Sequence, residues 1–124
     1  MSENKKTILI VEDEKVLSIA LKESFKKNGF LVLTAENGQE GLDLALKEHP
    51  DYIMIDILMP IMDGLTMLKK IREDSWGKDV PATILTNFND IEKVAEATGL
   101  GVFDYLVKTD WTIDEIIKKV EEKI

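Results

Sequence analysis

The chain contains no cysteine, which excludes disulfides and thiolate metal sites and points to an intracellular setting. Its single histidine, His49, precedes Pro50 at the end of a helical stretch and reads as a solvated terminus residue, not a metal ligand or a phosphohistidine. No apolar run approaches the ~20 residues that a membrane-spanning helix needs. The first residues, Met1 to Lys6, are polar and lack the apolar centre of a signal peptide. Positive charge is in deficit: 16 Lys and Arg stand against 24 Asp and Glu, a formal net charge of −8. A phosphate backbone or an anionic membrane surface would repel such a chain, so direct nucleic-acid and membrane binding are excluded as general functions. A partner with a basic patch would be attracted.

What is present suits one compact domain. The chain has 124 residues, of which 44% are apolar and 32% charged, enough for a real core under a well-solvated surface. No internal repeat, linker or low-complexity stretch divides it, so 1–124 reads as one domain with 1–6 as a polar tail. Apolar strand-like runs fall at about 7–11, 31–35, 52–56, 81–85 and 102–107, with helical spacing between them.

The first helical segment, about 14–28, carries Val16, Ile19, Ala20 and Leu21 and closes at Asn28-Gly29. The second opens at Asn37 with Glu40 three residues on, a capping-box pattern, and stops at Glu48 before Pro50. The third follows Asp63-Gly64 with Leu65, Leu68 and Ile71 on one face, and the fourth spans about 90–98. In the fifth, Thr112 and Glu115 form a capping box and Trp111 and Ile116 a hydrophobic staple, above a stripe of Ile113, Ile116, Ile117, Val120 and Ile124.

Strands alternating with helices imply an α/β fold: a doubly wound (βα)5 three-layer sandwich on a parallel five-stranded sheet. Strand order 2-1-3-4-5, the flavodoxin-like order, makes strands 1 and 3 neighbours. The first of these ends on Glu12-Asp13-Glu14 and the third on Asp56. Acids converging on one pocket repel by roughly 4 kcal/mol per pair at 4 Å and an effective dielectric near 20, a cost relieved by a shared proton or a cation. Hard oxygen ligands suit Mg2+, which keeps several waters and favours phosphate oxygens. Asp56 would then be the nucleophile toward a phosphoryl group. Strand 4 ends at Thr86 and strand 5 at Lys108, a hydroxyl and an ammonium that complete a clamp for phosphoryl oxygens.

Val11-Glu12-Asp13, Asn37-Gly38, Pro50-Asp51, Asp56 followed by Met59-Pro60 and Asp63-Gly64, Thr86, Gly101, Asp104-Tyr105 and Lys108 occur in order, each at an element end. Together they resemble the response-regulator receiver domain of two-component signalling, of the single-domain chemotaxis-regulator type. The resemblance implies that Asp56 accepts a phosphoryl group from a sensor histidine kinase or phosphotransfer protein in the cytoplasm. It implies Mg2+ ligation by Asp13, Asp56 and the backbone carbonyl of Leu58, with Glu12 acting mainly through water. Thr86 and Lys108 would hold the phosphoryl group, and Tyr105 would be an aromatic switch that follows Thr86. The output face would be helix 4, strand 5 and helix 5, read by an effector protein. No turnover substrate is implied, so the chain is not expected to be an enzyme.

Some positions depart from the family pattern. Thr109 follows Lys108 where proline and a cis bond are usual, so a trans bond and a shifted Lys108 backbone are expected. Asn87 follows Thr86 where a small residue is usual, and Leu58 and Phe88 replace polar groups, so slow self-dephosphorylation is expected. Phe103 stands where winged-helix regulators often carry an acid, so their symmetric dimer is not expected. Phe103 and Trp111 are instead placed to meet a different partner.

Three other functions compete with this reading. A dehalogenase-like phosphatase needs a second Asp two residues after the nucleophile, where this chain has Leu58. A flavodoxin-type cofactor binder needs a phosphate-cradling first loop, and Glu12-Asp13-Glu14 repels phosphate. The alternative that stays open is a receiver-fold binding module that works without phosphorylation.

Overall fold

Each apolar run becomes a strand and each periodic stretch a helix. In chain order these are β1 (Thr7–Val11), α1 (Lys15–Lys27), β2 (Leu31–Ala35), α2 (Gly38–Glu48), β3 (Tyr52–Ile55), α3 (Gly64–Arg72), β4 (Ala82–Thr86), α4 (Ile91–Gly99), β5 (Asp104–Val107) and α5 (Ile113–Glu121). The structure is a computed structural model that describes residues 5–87, 91–102 and 104–124. The expectations for Phe88 and Phe103 fall outside those residues. The strands pair in parallel, as the alternation of strand and helix implies, in the expected order β2-β1-β3-β4-β5.

Both faces of the sheet are covered, and strand side chains divide between them with period two. Ile8 and Ile10 of β1 and Tyr52 and Met54 of β3 pack with Leu21 and Phe25 of α1 and Ile116, Ile117 and Val120 of α5. Leu9, Val11, Ile53 and Ile55 face the other way, toward Leu42 and Ala45 of α2 and Leu65, Leu68 and Ile71 of α3. Arg72, at the end of α3, donates from Nε to the Leu100 carbonyl (2.8 Å) and from Nη1 to that of Gly77 (2.7 Å), tying α3 to the chain just after α4.

Helix ends follow local chemistry. Thr112 and Glu115 make the expected capping box, each accepting the other's backbone N–H at 3.1 and 2.8 Å. Asn37 accepts from the Glu40 N–H at 2.8 Å, but the Glu40 carboxylate accepts from Glu36, one residue further out. The Asn37 box is thus only half formed. His49 closes α2 in a left-handed conformation (φ 50°) and stacks on Trp76 at a centroid distance of 4.5 Å.

Three apolar expectations are corrected. Val16 and Ile19 are 85% and 58% exposed. At 100° per residue they lie across the helix from Leu21 and Phe25, which face the sheet. Ile124 is exposed because α5 ends at Glu121, before the stripe reaches it.

Ile61 has φ 70° and is 81% exposed. A β-branched residue there is strained by about 1–2 kcal/mol, and Asn adopts that region more readily. Ile61→Asn is therefore expected to raise stability by about 1 kcal/mol. The check is a higher urea midpoint at unchanged slope.

Candidate functional site: an acidic cleft at the sheet edge

Parallel strands bring their C-terminal ends to one edge of the sheet. Val11 pairs with Ile55, so Glu12 and Asp56 emerge side by side, and the Asp56 N–H donates to the Val11 carbonyl at 3.0 Å. Thr86 pairs with Val107, which places Lys108 next to the end of β4. These ends surround an open cleft of about 260 Å³ lined by Asp13, Glu14, Asp56, Leu58, Thr86 and Asn87.

One carboxylate oxygen from each of Glu12, Asp13 and Asp56 lies within 4.8 Å of the others. Glu12 and Asp56 are buried, while Asp13 is exposed. The Lys108 ammonium enters this cluster from β5 and donates to Glu12 Oε2 (3.0 Å), Glu14 Oε2 (2.5 Å) and Asp56 Oδ2 (3.2 Å). Glu12 Oε1 is 2.9 Å from the same nitrogen but accepts no hydrogen bond. Its other oxygen also accepts the Glu14 N–H at 3.0 Å.

Burial pushes the Glu12 carboxyl up to about 7, against the hydrogen bonds of Lys108 and the Glu14 backbone, which pull it down. Burial also raises Asp56, opposed by the Lys108 charge and helped by that of Asp13. The hydrogen bond from Lys108 holds exposed Glu14 below the usual carboxylate range. Burial alone would lower Lys108, but the bonds to Glu14 and Glu12 and the charge of Asp56 outweigh it and raise its pKa.

The cluster suits a hard divalent cation: its donors are oxygens, they converge, and one buried carboxylate oxygen lacks a hydrogen bond. Close backbone approach helps hold the loop beneath the cleft. The Gly64 N–H donates to the Ile57 carbonyl at 2.9 Å, and a Cβ on Gly64 would lie 2.1 Å from the Asp56 carbonyl oxygen. Asp63 caps α3 by accepting the Thr66 N–H at 2.8 Å.

The expected site residues lie as follows. Glu12, Asp13 and Asp56 cluster, Lys108 contacts Glu12 and Asp56, and Thr86 and Leu58 line the same cleft. Tyr105 is half-buried one strand over and pairs in register with Ile84, so it shares a sheet face with Thr86. The Lys108–Thr109 bond is trans, and Lys108 to Asp110 form a 3-10 turn. The Glu14–Lys108 contact was not foreseen. Its only signal in the sequence was a third consecutive acid after β1.

The sequence profile of the response regulator receiver domain matches residues 8–121. The sporulation initiation phosphotransferase F of Bacillus subtilis is 33% identical over 115 residues, covering 93% of this chain and 90% of that protein. The probable transcriptional regulator ycf27 of Guillardia theta is 39% identical over 106 residues, covering 86% of this chain and 41% of that protein. The chain thus spans under half the length of some curated relatives it matches. Among solved structures, Vibrio cholerae chemotaxis protein CheY4 superposes with TM-score 0.89 at 28% identity, covering 97% of this chain and 99% of that one. A chain of the CheX-CheY-BeF3-Mg+2 complex from Borrelia burgdorferi superposes with TM-score 0.85 at 25% identity, covering 95% of this chain and 88% of that one.

The Glu12 shift carries a pH prediction. Its folded pKa of about 7 lies above the ordinary 4.5, so its burial costs nothing below pH 4.5 and the full penalty above 7. Asp56 acts in the same direction. Glu14, with its lowered pKa, has its window below pH 4.5, and Lys108 stays charged throughout. Without divalent ions, thermal stability should fall between pH 5 and 7, and Glu12→Gln should flatten that fall. Thermal melts of both proteins across the range check it.

Proposed function

Because the chain belongs to the response regulator receiver domain family, we propose that it is a phosphorylation-dependent signalling switch with Asp56 as phosphoacceptor. Its main support is the approach of Lys108 Nζ to Asp56 Oδ2 at 3.2 Å inside the acidic cleft. Receiver domains are signalling switches, not turnover enzymes, and they bind Mg2+ at an acidic pocket.

Asp13, Asp56 and the backbone carbonyl of Leu58 would hold the ion directly, with Glu12 mainly through water. Bound there, Mg2+ supplies positive charge against the oxygens of an incoming phosphoryl group. A carboxylate oxygen of Asp56 attacks the phosphorus of a phosphohistidine on a sensor kinase or phosphotransfer protein. The O–P bond forms as the P–N bond breaks, and its electron pair stays on the imidazole nitrogen. The product is an acyl phosphate on Asp56. Lys108 pairs with one phosphoryl oxygen and the Thr86 hydroxyl donates to another. Hydrolysis reverses the state: water attacks phosphorus, phosphate leaves and the carboxylate returns.

Phosphorylation replaces one negative charge by about two, which biases a two-state equilibrium. Movement of Thr86 toward the phosphoryl group opens space for Tyr105, which lies on the same sheet face. The α4-β5-α5 surface then presents the signal to an effector protein in the cytoplasm. Leu58, half exposed, gives the cleft an apolar lip, which supports docking of a protein donor there. Among the described residues, no helix is long and apolar enough to cross a membrane.

Incubation with acetyl phosphate and Mg2+ should add the mass of one phosphoryl group, and Asp56→Asn should abolish the gain. A folded wild-type protein that gains nothing would instead be a phosphorylation-independent binding module. Leu58→Asn and Asn87→Ala should each shorten the phosphoryl lifetime several-fold, measured by the decay of the phosphorylated mass. Unchanged lifetimes in both would remove the idea that these side chains slow hydrolysis.

A further inference from the structure

We propose that Glu14 is a positioning residue for this chemistry: it holds Lys108 across the mouth of the resting cleft and must release it to the incoming phosphoryl group. This role rests on the receiver function proposed above and adds a competitor for its lysine.

A lysine ammonium has three N–H donors. All three are engaged in the resting structure, by Glu12, Glu14 and Asp56. A phosphoryl oxygen can take a full hydrogen bond from Lys108 only when one of these carboxylates lets go. Glu12 and Asp56 have side chains that are 2% and 6% exposed, so neither can retreat into water. The Glu14 side chain is 51% exposed and can.

Glu14 also makes the shortest of the three contacts, 2.5 Å, so it is the one that most restrains the ammonium. Its backbone is fixed, because its N–H donates to Glu12 Oε2 at 3.0 Å. It occupies the N-cap position of α1, yet its side chain makes no cap hydrogen bond and turns instead to Lys108. Asn87 lines the same cleft as Glu14. Glu14 therefore links the segments after β1 and β5 across the entrance. When it swings away, the positive end of α1 can receive its charge.

The test uses the full chain, with acetyl phosphate as donor and Mg2+ present. Asp56 attacks the phosphorus and acetate leaves, and the initial rate is read by mass or radiolabel. Glu14→Gln and Glu14→Ala should each raise the rate roughly threefold to fivefold, the scale of a rim ion pair. The same substitutions made in a Lys108→Ala background, where initial rates are readable however slow, should give no rise. A merely structural role for Glu14 would not depend on Lys108 in that way. Unchanged rates in both single variants would overturn the proposal. So would an undiminished rise in the Lys108→Ala background, which would mark simple charge repulsion. Failure of wild type to be labelled at all would instead defeat the receiver function itself, and this role with it.

Discussion

Carboxylates gathered at one rim of a sheet repel one another, and the Lys108 ammonium makes their gathering tolerable. It reaches Glu12, Glu14 and Asp56 at once, at 3.0, 2.5 and 3.2 Å. Each pair of like charges at 4 Å costs roughly 4 kcal/mol at an effective dielectric near 20. One cation shared among three acids offsets part of that cost and leaves the rest standing. Burial adds its own penalty on the charged forms, and it is the main cause of the raised pKa values of Glu12 and Asp56. A site held this way is ready to redistribute its contacts when a divalent ion or a phosphoryl group arrives.

The scaffold serves that arrangement. Parallel pairing of β1 with β3 and of β4 with β5 sends Glu12, Asp56, Thr86 and Lys108 to one edge. β1, β3 and β4 are buried on both faces, so their ends are rigid supports, while β5 is a half-buried edge strand. The connections that shape the entrance are the adaptable part. One of them contains Ile61 at positive φ, and it approaches the Asp56 carbonyl so closely at Gly64 that no side chain fits there. Tyr105 and Thr86 share a sheet face, so a movement at the rim has a short path toward β5 and the surface beside it.

Much of this was legible beforehand. Short continuous apolar runs and capping signals located the strands and helices, and the observed sheet order is one of the two common for such an alternation. The acids after β1 and β3 were legible as neighbours because that order makes their strands adjacent. Less legible were features that depend on which way a side chain turns. Val16 and Ile19 are apolar at helical spacing but lie across α1 from the sheet. Glu40 serves Glu36 in place of its own cap residue. The third acid, Glu14, looked like a helix start and bridges instead to a lysine 94 positions away.

Sequence alone determined the element order, the topology and the chemical types at each strand end, because hydrophobic periodicity and turn chemistry are local and act wherever the chain goes. Tertiary structure decided which charges share a partner and how deeply each is buried. Those depend on distances between residues remote in sequence, and no local pattern encodes how three carboxylates divide the three protons of one ammonium.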